Sequence, residues 1–280
     1  MNTLINEVPK IHIDYNQIND FKLIYDSPFL LNVDWNQTNY EFFIHLKNIS
    51  PNLLVFGSGA YNAQKLKPPI FHRYSWTKHF NESIIFYNDP TLYLGPINLG
   101  WGFGTTNEFY LQNIANILEI IMKRIKVESN KVLFYGTSGG GFMSLILAGL
   151  IKGSTALVNN PQTIIPNYYQ SHVNLLFESV QPHLTKTEII NKFSDRLNVL
   201  EFYKKTKYIP KIYYLQNILC EHDMQQHVLP FIEGLQGLNE QDFSNRINLK
   251  FYANKEEGHN PLGLEESILH INNILKHFAQ

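Results

Sequence analysis

The chain has 280 residues, 23 Lys+Arg against 24 Asp+Glu, a formal net charge of −1, and is 44% hydrophobic but only 17% charged. Its lysines are scattered, the densest cluster being Lys204, Lys205 and Lys207, so it lacks the clustered cations that binding a nucleic-acid backbone requires. A single cysteine, Cys220, excludes a disulfide framework and a multi-cysteine zinc site within one chain, so no metal is expected. The longest apolar-rich run, residues 142–151, is about half of a bilayer span of roughly 20 residues, which excludes a membrane-spanning helix.

The N-terminus, residues 1–7, has neither a basic start nor an apolar core, so no secretory leader and a cytoplasmic location are expected. No repeat or Pro-rich linker divides the chain, and residues 1–280 read as one domain with ample side chains for a core. Residues 10–15, 21–25 and 40–46 read as short antiparallel strands separated by Asn/Asp-rich turns. From residue 52 the pattern changes. Apolar runs at 53–56, 83–87, 131–135, 155–158, 211–219 and 248–253 each close in turn residues, the mark of strands buried on both faces.

Between these runs lie helical patterns at 107–125, 141–151 and 264–278, the first with Ile114, Ile117, Leu118, Ile121 and Ile125 on one stripe. Alternating strands and helices predict an α/β fold, a mostly parallel sheet with helices on both faces. In such folds chemistry collects at the carboxyl ends of the strands. Residues 163–208 fit the alternation poorly, and their helical stretches at 173–180 and 187–193 predict an inserted cap.

Gly136-Thr137-Ser138-Gly139-Gly140 matches G-x-S-x-G between a strand and a helix. A serine on so sharp a turn needs small residues two positions to each side, which Gly136 and Gly140 provide. The helix that follows directs its free N–H groups and positive dipole end at the serine. The other reading is a tight turn or a phosphate cradle. A P-loop would need Gly-Lys-Ser/Thr, which is absent, and G-x-G-x-x-G is not matched.

A serine nucleophile needs a base and the base an orienting acid. His259 follows the last strand with Gly258 beside it, and Asp223 follows the preceding strand, so the order is Ser, Asp, His. Glu221 and Asp89 are competing acids, and His222 with His227 form a pair that lacks a third metal ligand at suitable spacing. The oxyanion hole combines the Gly139 N–H with one from the 57–60 loop, Ser58 or Gly59. Trp76, Trp101 and Asn160 are candidate substrate contacts; packing of the loops onto the sheet is the equal alternative for the two tryptophans.

On these residues, from about position 50 onward, the chain resembles the α/β-hydrolase superfamily. Within it the chain resembles hydrolase-like proteins of bacterial capsule and surface-polysaccharide loci, including capsule O-acetyltransferases. The points of likeness are 136–140, the run Val158-Asn159-Asn160-Pro161-Gln162, 220–223 with His227, and 258–260. The resemblance implies a Ser138–His259–Asp223 triad and acyl transfer involving a sugar hydroxyl. The partner would be a glycan or a small ester, with no cofactor beyond an acyl donor such as acetyl-CoA in a transferase. The rival class is a carbohydrate-binding or polysaccharide-assembly protein that keeps the fold without the chemistry. The 61–105 region departs from the superfamily pattern.

Overall fold

The computed structural model describes residues 7–238 and 243–278. The six apolar runs become β4 to β9 of a nine-stranded sheet, in the order β1-β2-β3-β5-β4-β6-β7-β8-β9. These are β1 (Lys10–Asp14), β2 (Phe29–Trp35), β3 (Thr38–His45), β4 (Leu53–Phe56), β5 (Ser83–Tyr87), β6 (Val132–Ser138), β7 (Thr155–Pro161), β8 (Lys211–Asn217) and β9 (Ile247–Tyr252). From β5 across to β9 every pairing is parallel. All residues of β4, β5 and β7 are buried, as strands covered on both faces must be.

Two expectations for the N-terminal part require correction. Residues 21–25 are not a strand: Tyr25 makes only an isolated bridge to Leu46. The Arg124 guanidinium instead donates to the carbonyls of Ile18 (2.7 Å) and Phe21 and lies over the Phe21 ring, pinning this connector to a helix. The true second strand is β2, joined to β3 by Asn36-Gln37, both at positive φ, as a two-residue hairpin turn requires. Because the pinned connector carries the chain back before β2 begins, β1 runs parallel to β2 rather than antiparallel.

Each face of the sheet has its own core. On one, the helix Tyr110–Arg124 buries Ile114, Ile117, Leu118 and Ile121, and the helix Gly139–Leu150 is buried almost throughout. On the other, Ile271, Ile274 and Leu275 of the helix Leu264–Phe278 join Phe71, Phe80, Phe56 and Phe86. Each such side chain removed from water contributes roughly 1.5–3 kcal/mol before entropy is counted.

Residues 163–208 form the helices Gln170–Val180, Lys186–Lys192, Ser194–Leu197 and Val199–Thr206. The last packs so closely on the helix after Ser138 that a side chain at Gly149 would meet Phe202 at 2.8 Å. Arg196 donates to the carbonyls of Thr105 (2.6 Å) and Glu108 (3.2 Å), fastening the segment to the loop that precedes the first long helix. Among the described residues no helix is long and apolar enough to cross a membrane.

Candidate active site

Strand β6 extends through Ser138, and the helix Gly139–Leu150 begins at the next residue. Ser138 therefore turns the chain at φ 55° and ψ −126°, a conformation that L-residues rarely adopt. The flanking glycines have a direct steric reason. A Cβ on Gly136 would stand 2.1 Å from the Gly140 carbonyl oxygen, and one on Gly140 would stand 2.7 Å from that of Gly57.

At this corner three side chains meet. His259 Nε2 lies 2.9 Å from Ser138 Oγ, and His259 Nδ1 lies 2.6 Å from Asp223 Oδ2. With an ionised carboxylate on Nδ1, the neutral imidazole carries its proton there and accepts the serine hydroxyl at Nε2. Burial pushes the Asp223 carboxyl up, but the hydrogen bond and charge of His259, with Cys220 and His227, outweigh it and hold the group below its ordinary range. The competing acids are engaged elsewhere. Glu221 accepts from the Gln225 side chain (3.0 Å), and the buried Asp89 accepts the N–H groups of Thr91 (2.9 Å) and Gly102 (2.8 Å).

The loop bearing His259 is held by two buried asparagines. Asn217 Nδ2 donates to the carbonyls of Asn254 (2.6 Å) and Gly258 (2.9 Å). Asn160 Nδ2 donates to those of His259 (3.3 Å) and Asn260 (3.0 Å), while its Oδ1 accepts the Asn217 N–H (2.9 Å). Asn160 is wholly buried, so as the site stands it faces the His259 loop and not a substrate.

Trp101 is likewise wholly buried, its indole N–H donating to Gln162 Oε1. Trp76 is half-buried, edge-on to Phe56 and tilted against Tyr135, with the Arg73 guanidinium 5.3 Å from its ring centre. Arg73 also donates to Thr137 Oγ1 (3.1 Å), beside Ser138. The tryptophans thus serve loop packing here.

In the 57–60 loop, Ser58 Oγ donates to the Ile70 carbonyl (3.0 Å) and accepts the His72 N–H (2.9 Å). A Cβ on Gly59 would lie 3.7 Å from Ser138 Cβ, so this loop's backbone borders the serine. Among the described residues neither the Ser58 nor the Gly59 N–H donates a hydrogen bond. The loop packs on the first turn of the helix that Gly139 opens, a Cβ on Gly140 lying 3.1 Å from the Ser58 carbonyl carbon.

Two residues without a role in the sequence reading complete the surroundings. Gln162 Nε2 donates to Ser138 Oγ (3.0 Å) from the end of β7, the strand next to β6. Tyr168 lies against Trp101 and 6.4 Å, ring to ring, from His259, and burial pushes its phenol up to about 12. Gln162 was within reach of sequence reasoning, since the residue after a neighbouring parallel strand faces the same crevice. Tyr168, in an irregular segment, carries no such signal.

Among the described residues, Cys220, Asp223 and His259 bring ligand atoms within 4.8 Å of one another. Burial pushes the Cys220 thiol up to about 11. Of the other histidine pair, His222 stacks on Tyr169 with ring centres 4.3 Å apart. His227, wholly buried, accepts the Thr163 N–H at Nδ1 (3.4 Å).

Burial pushes His227 down to about 3 from an ordinary 6.5; Asp223 opposes this, and His222 and His259 reinforce it. The unfolded chain therefore takes up a proton below pH 6.5 that the folded chain refuses. Its contribution is fully present above pH 6.5 and is lost as pH falls toward 3, at up to about 1.4 kcal/mol per pH unit. Burial, with Arg73 beside it, pushes His72 down to about 4, which acts in the same direction. Urea unfolding at pH 7, 6 and 5 should show this fall, and His227→Gln should flatten it by about one proton's worth. An unchanged slope would mean that folded His227 already carries its proton.

No family model matches the chain. An accessory Sec system protein of Staphylococcus aureus is 23% identical over 144 residues, 51% of this chain and 25% of that protein. The chain therefore spans about a quarter of that relative's length. Among solved structures, the capsule O-acetyltransferase of Neisseria meningitidis serogroup A superposes with a TM-score of 0.59 at 13% identity, over 92% of this chain and 97% of that one. The fluorophosphonate-binding serine hydrolase F of Staphylococcus aureus gives a TM-score of 0.58 at 11% identity, over 92% and 100%. With the sheet described above, these likenesses establish the α/β-hydrolase fold.

Proposed function

We propose that this protein is a serine-dependent acyl-transfer enzyme acting on an ester of a glycan or a related hydroxyl-rich molecule. The observation that carries the proposal is the unbroken chain Asp223–His259–Ser138, at 2.6 and 2.9 Å, on a strained strand-to-helix corner. Ser138 Oγ attacks the carbonyl carbon of the donor while its proton passes to His259 Nε2. Asp223 orients the imidazole and stabilises the imidazolium. The N–H groups of Gly139 and of Ser58 or Gly59 receive the oxyanion. Collapse expels the leaving oxygen or sulfur, which takes the proton from His259, and leaves an ester on Ser138. Water or a sugar hydroxyl then attacks that ester with His259 again as base, and collapse breaks the acyl bond to Ser138 Oγ, which takes the proton back from His259.

Water as acceptor makes the enzyme an esterase or deacetylase; a glycan hydroxyl makes it an O-acetyltransferase with a donor such as acetyl-CoA. The polysaccharide substrate is supported by the fold likeness to a capsule O-acetyltransferase. Tyr169, half exposed and stacked on His222 beside Asp223, offers an aromatic face of the kind that sugar rings cover. The 163–208 segment acts as a lid through its first turn, where Tyr168 and Tyr169 lie.

Acetate release from p-nitrophenyl acetate and acetyl transfer to surface polysaccharides, measured on one preparation, separate the two versions. We expect activity in at least one assay, lost in Ser138→Ala. Activity in neither, from a folded protein that a fluorophosphonate also leaves unlabelled, would favour the binding protein instead. Efficient hydrolysis with no transfer to any glycan tried would remove the acetyltransferase version.

A further inference from the structure

Ser138 Oγ has two hydrogen-bond partners, and the triad accounts for only one. The second is the side-chain amide of Gln162, 3.0 Å away and wholly buried. An amide can present either its oxygen or its nitrogen, and here the choice is fixed from behind. The Trp101 indole is a donor only, so the atom of Gln162 that meets it is Oε1, and the NH₂ must face the serine.

Trp101 is itself held in place. It sits at φ 51° in a loop where Gly102 donates to Asp89 (2.8 Å) and Gly104 donates to Thr91 Oγ1 (3.1 Å). Asp89, enclosed and without a cationic partner among the described residues, thus acquires a purpose outside the triad: it fixes the loop that fixes the indole.

We infer that Gln162 is a further catalytic residue, whose amide, oriented by Trp101, donates to Ser138 Oγ and stabilises the charge that builds there as the proton passes to His259. The inference rests on the reading of Ser138 as nucleophile. A neutral serine hydroxyl gains little from an extra donor, whereas an oxygen acquiring negative charge in a dry site gains much more. Trp101 is a positioning residue, acting through Gln162. The arrangement also explains why neither side chain is free to touch substrate.

The test is the second-order rate of Ser138 labelling by a fluorophosphonate, which needs no knowledge of the natural substrate. Gln162→Met removes the donor and should slow labelling about 100-fold, the usual scale for one lost donor to a developing oxyanion. The isosteric Gln162→Glu, which puts an acceptor where the NH₂ was, should slow it at least as much, and it carries the same test should the methionine variant fail to fold. Trp101→Phe should cost about tenfold, seen with an ester substrate in kcat and not in KM, and should cost nothing further in the Gln162→Met background. Wild-type labelling rates in folded Gln162→Met or Gln162→Glu would overturn the inference while leaving the Ser138 reading intact. Equal Trp101→Phe losses in both backgrounds would overturn the positioning role. No labelling of the wild type would remove the Ser138 reading and this inference with it.

Discussion

Ser138→Gly and Ser138→Ala should both abolish acyl transfer, by about a million-fold in kcat as for serine nucleophiles of other folds, yet the glycine variant should be the more stable of the two. Both substitutions delete the hydroxyl and its hydrogen bonds with His259 and Gln162, so those losses cancel in the comparison. What differs is the backbone. At φ 55° and ψ −126° an alanine keeps the strain of a residue with a Cβ, roughly 1–3 kcal/mol, and glycine does not. Glycine gives back about 0.5–1 kcal/mol through the greater freedom of its unfolded chain. The net advantage is about 1 kcal/mol, readable in urea unfolding. Equal stabilities would mean that the corner stores no strain.

Asp223→Asn carries the next largest effect. The side chain keeps its size and its place at 1% exposure, but an amide has no charge with which to stabilise imidazolium. It also permits the tautomer in which Nε2 carries the proton and no longer accepts one from Ser138. A fall of about 10⁴ in kcat is expected, with KM little changed and the fold intact. Glu221→Gln, tested beside it, should leave the rate where it was, because that carboxylate is exposed and directed at Gln225. The reverse pattern would transfer the acid's role to Glu221.

The fold was legible in this sequence wherever short-range rules decide. Apolar runs closed by turn residues marked the parallel strands, and the glycines around Ser138 marked the corner because their steric need arises within five residues. The connector at 21–25 misled for a long-range reason: the Phe21 carbonyl and ring serve an anchor to Arg124, about a hundred positions away. The β2 strand went unread although Asn36-Gln37 was a usable hairpin signal.

At the site, Ser138, Asp223 and His259 could be singled out because Ser138 ends a strand, Asp223 and His259 lie in the segments that follow β8 and β9, and each has the right chemistry. Asn160 and Trp101 read from the sequence as substrate contacts, whereas the structure turns both onto the protein itself. The contacts that direct them, Trp101 with Gln162 and Asn160 with the Asn260 carbonyl, span 61 and 100 positions of the chain. An aromatic near a strand end reads as a pocket wall until the residue that takes its N–H is known.

The claim on which the rest depends is that an acyl group resides on Ser138 during turnover. Mixing the protein with p-nitrophenyl acetate, quenching in acid within the first turnover and mapping the peptides by mass should find an acetyl increment on Ser138 alone. The adduct should be absent in Ser138→Ala and should form far more slowly in His259→Ala. Turnover of the ester with the label on another residue, or with no covalent adduct while Ser138→Ala remains active, would contradict the account.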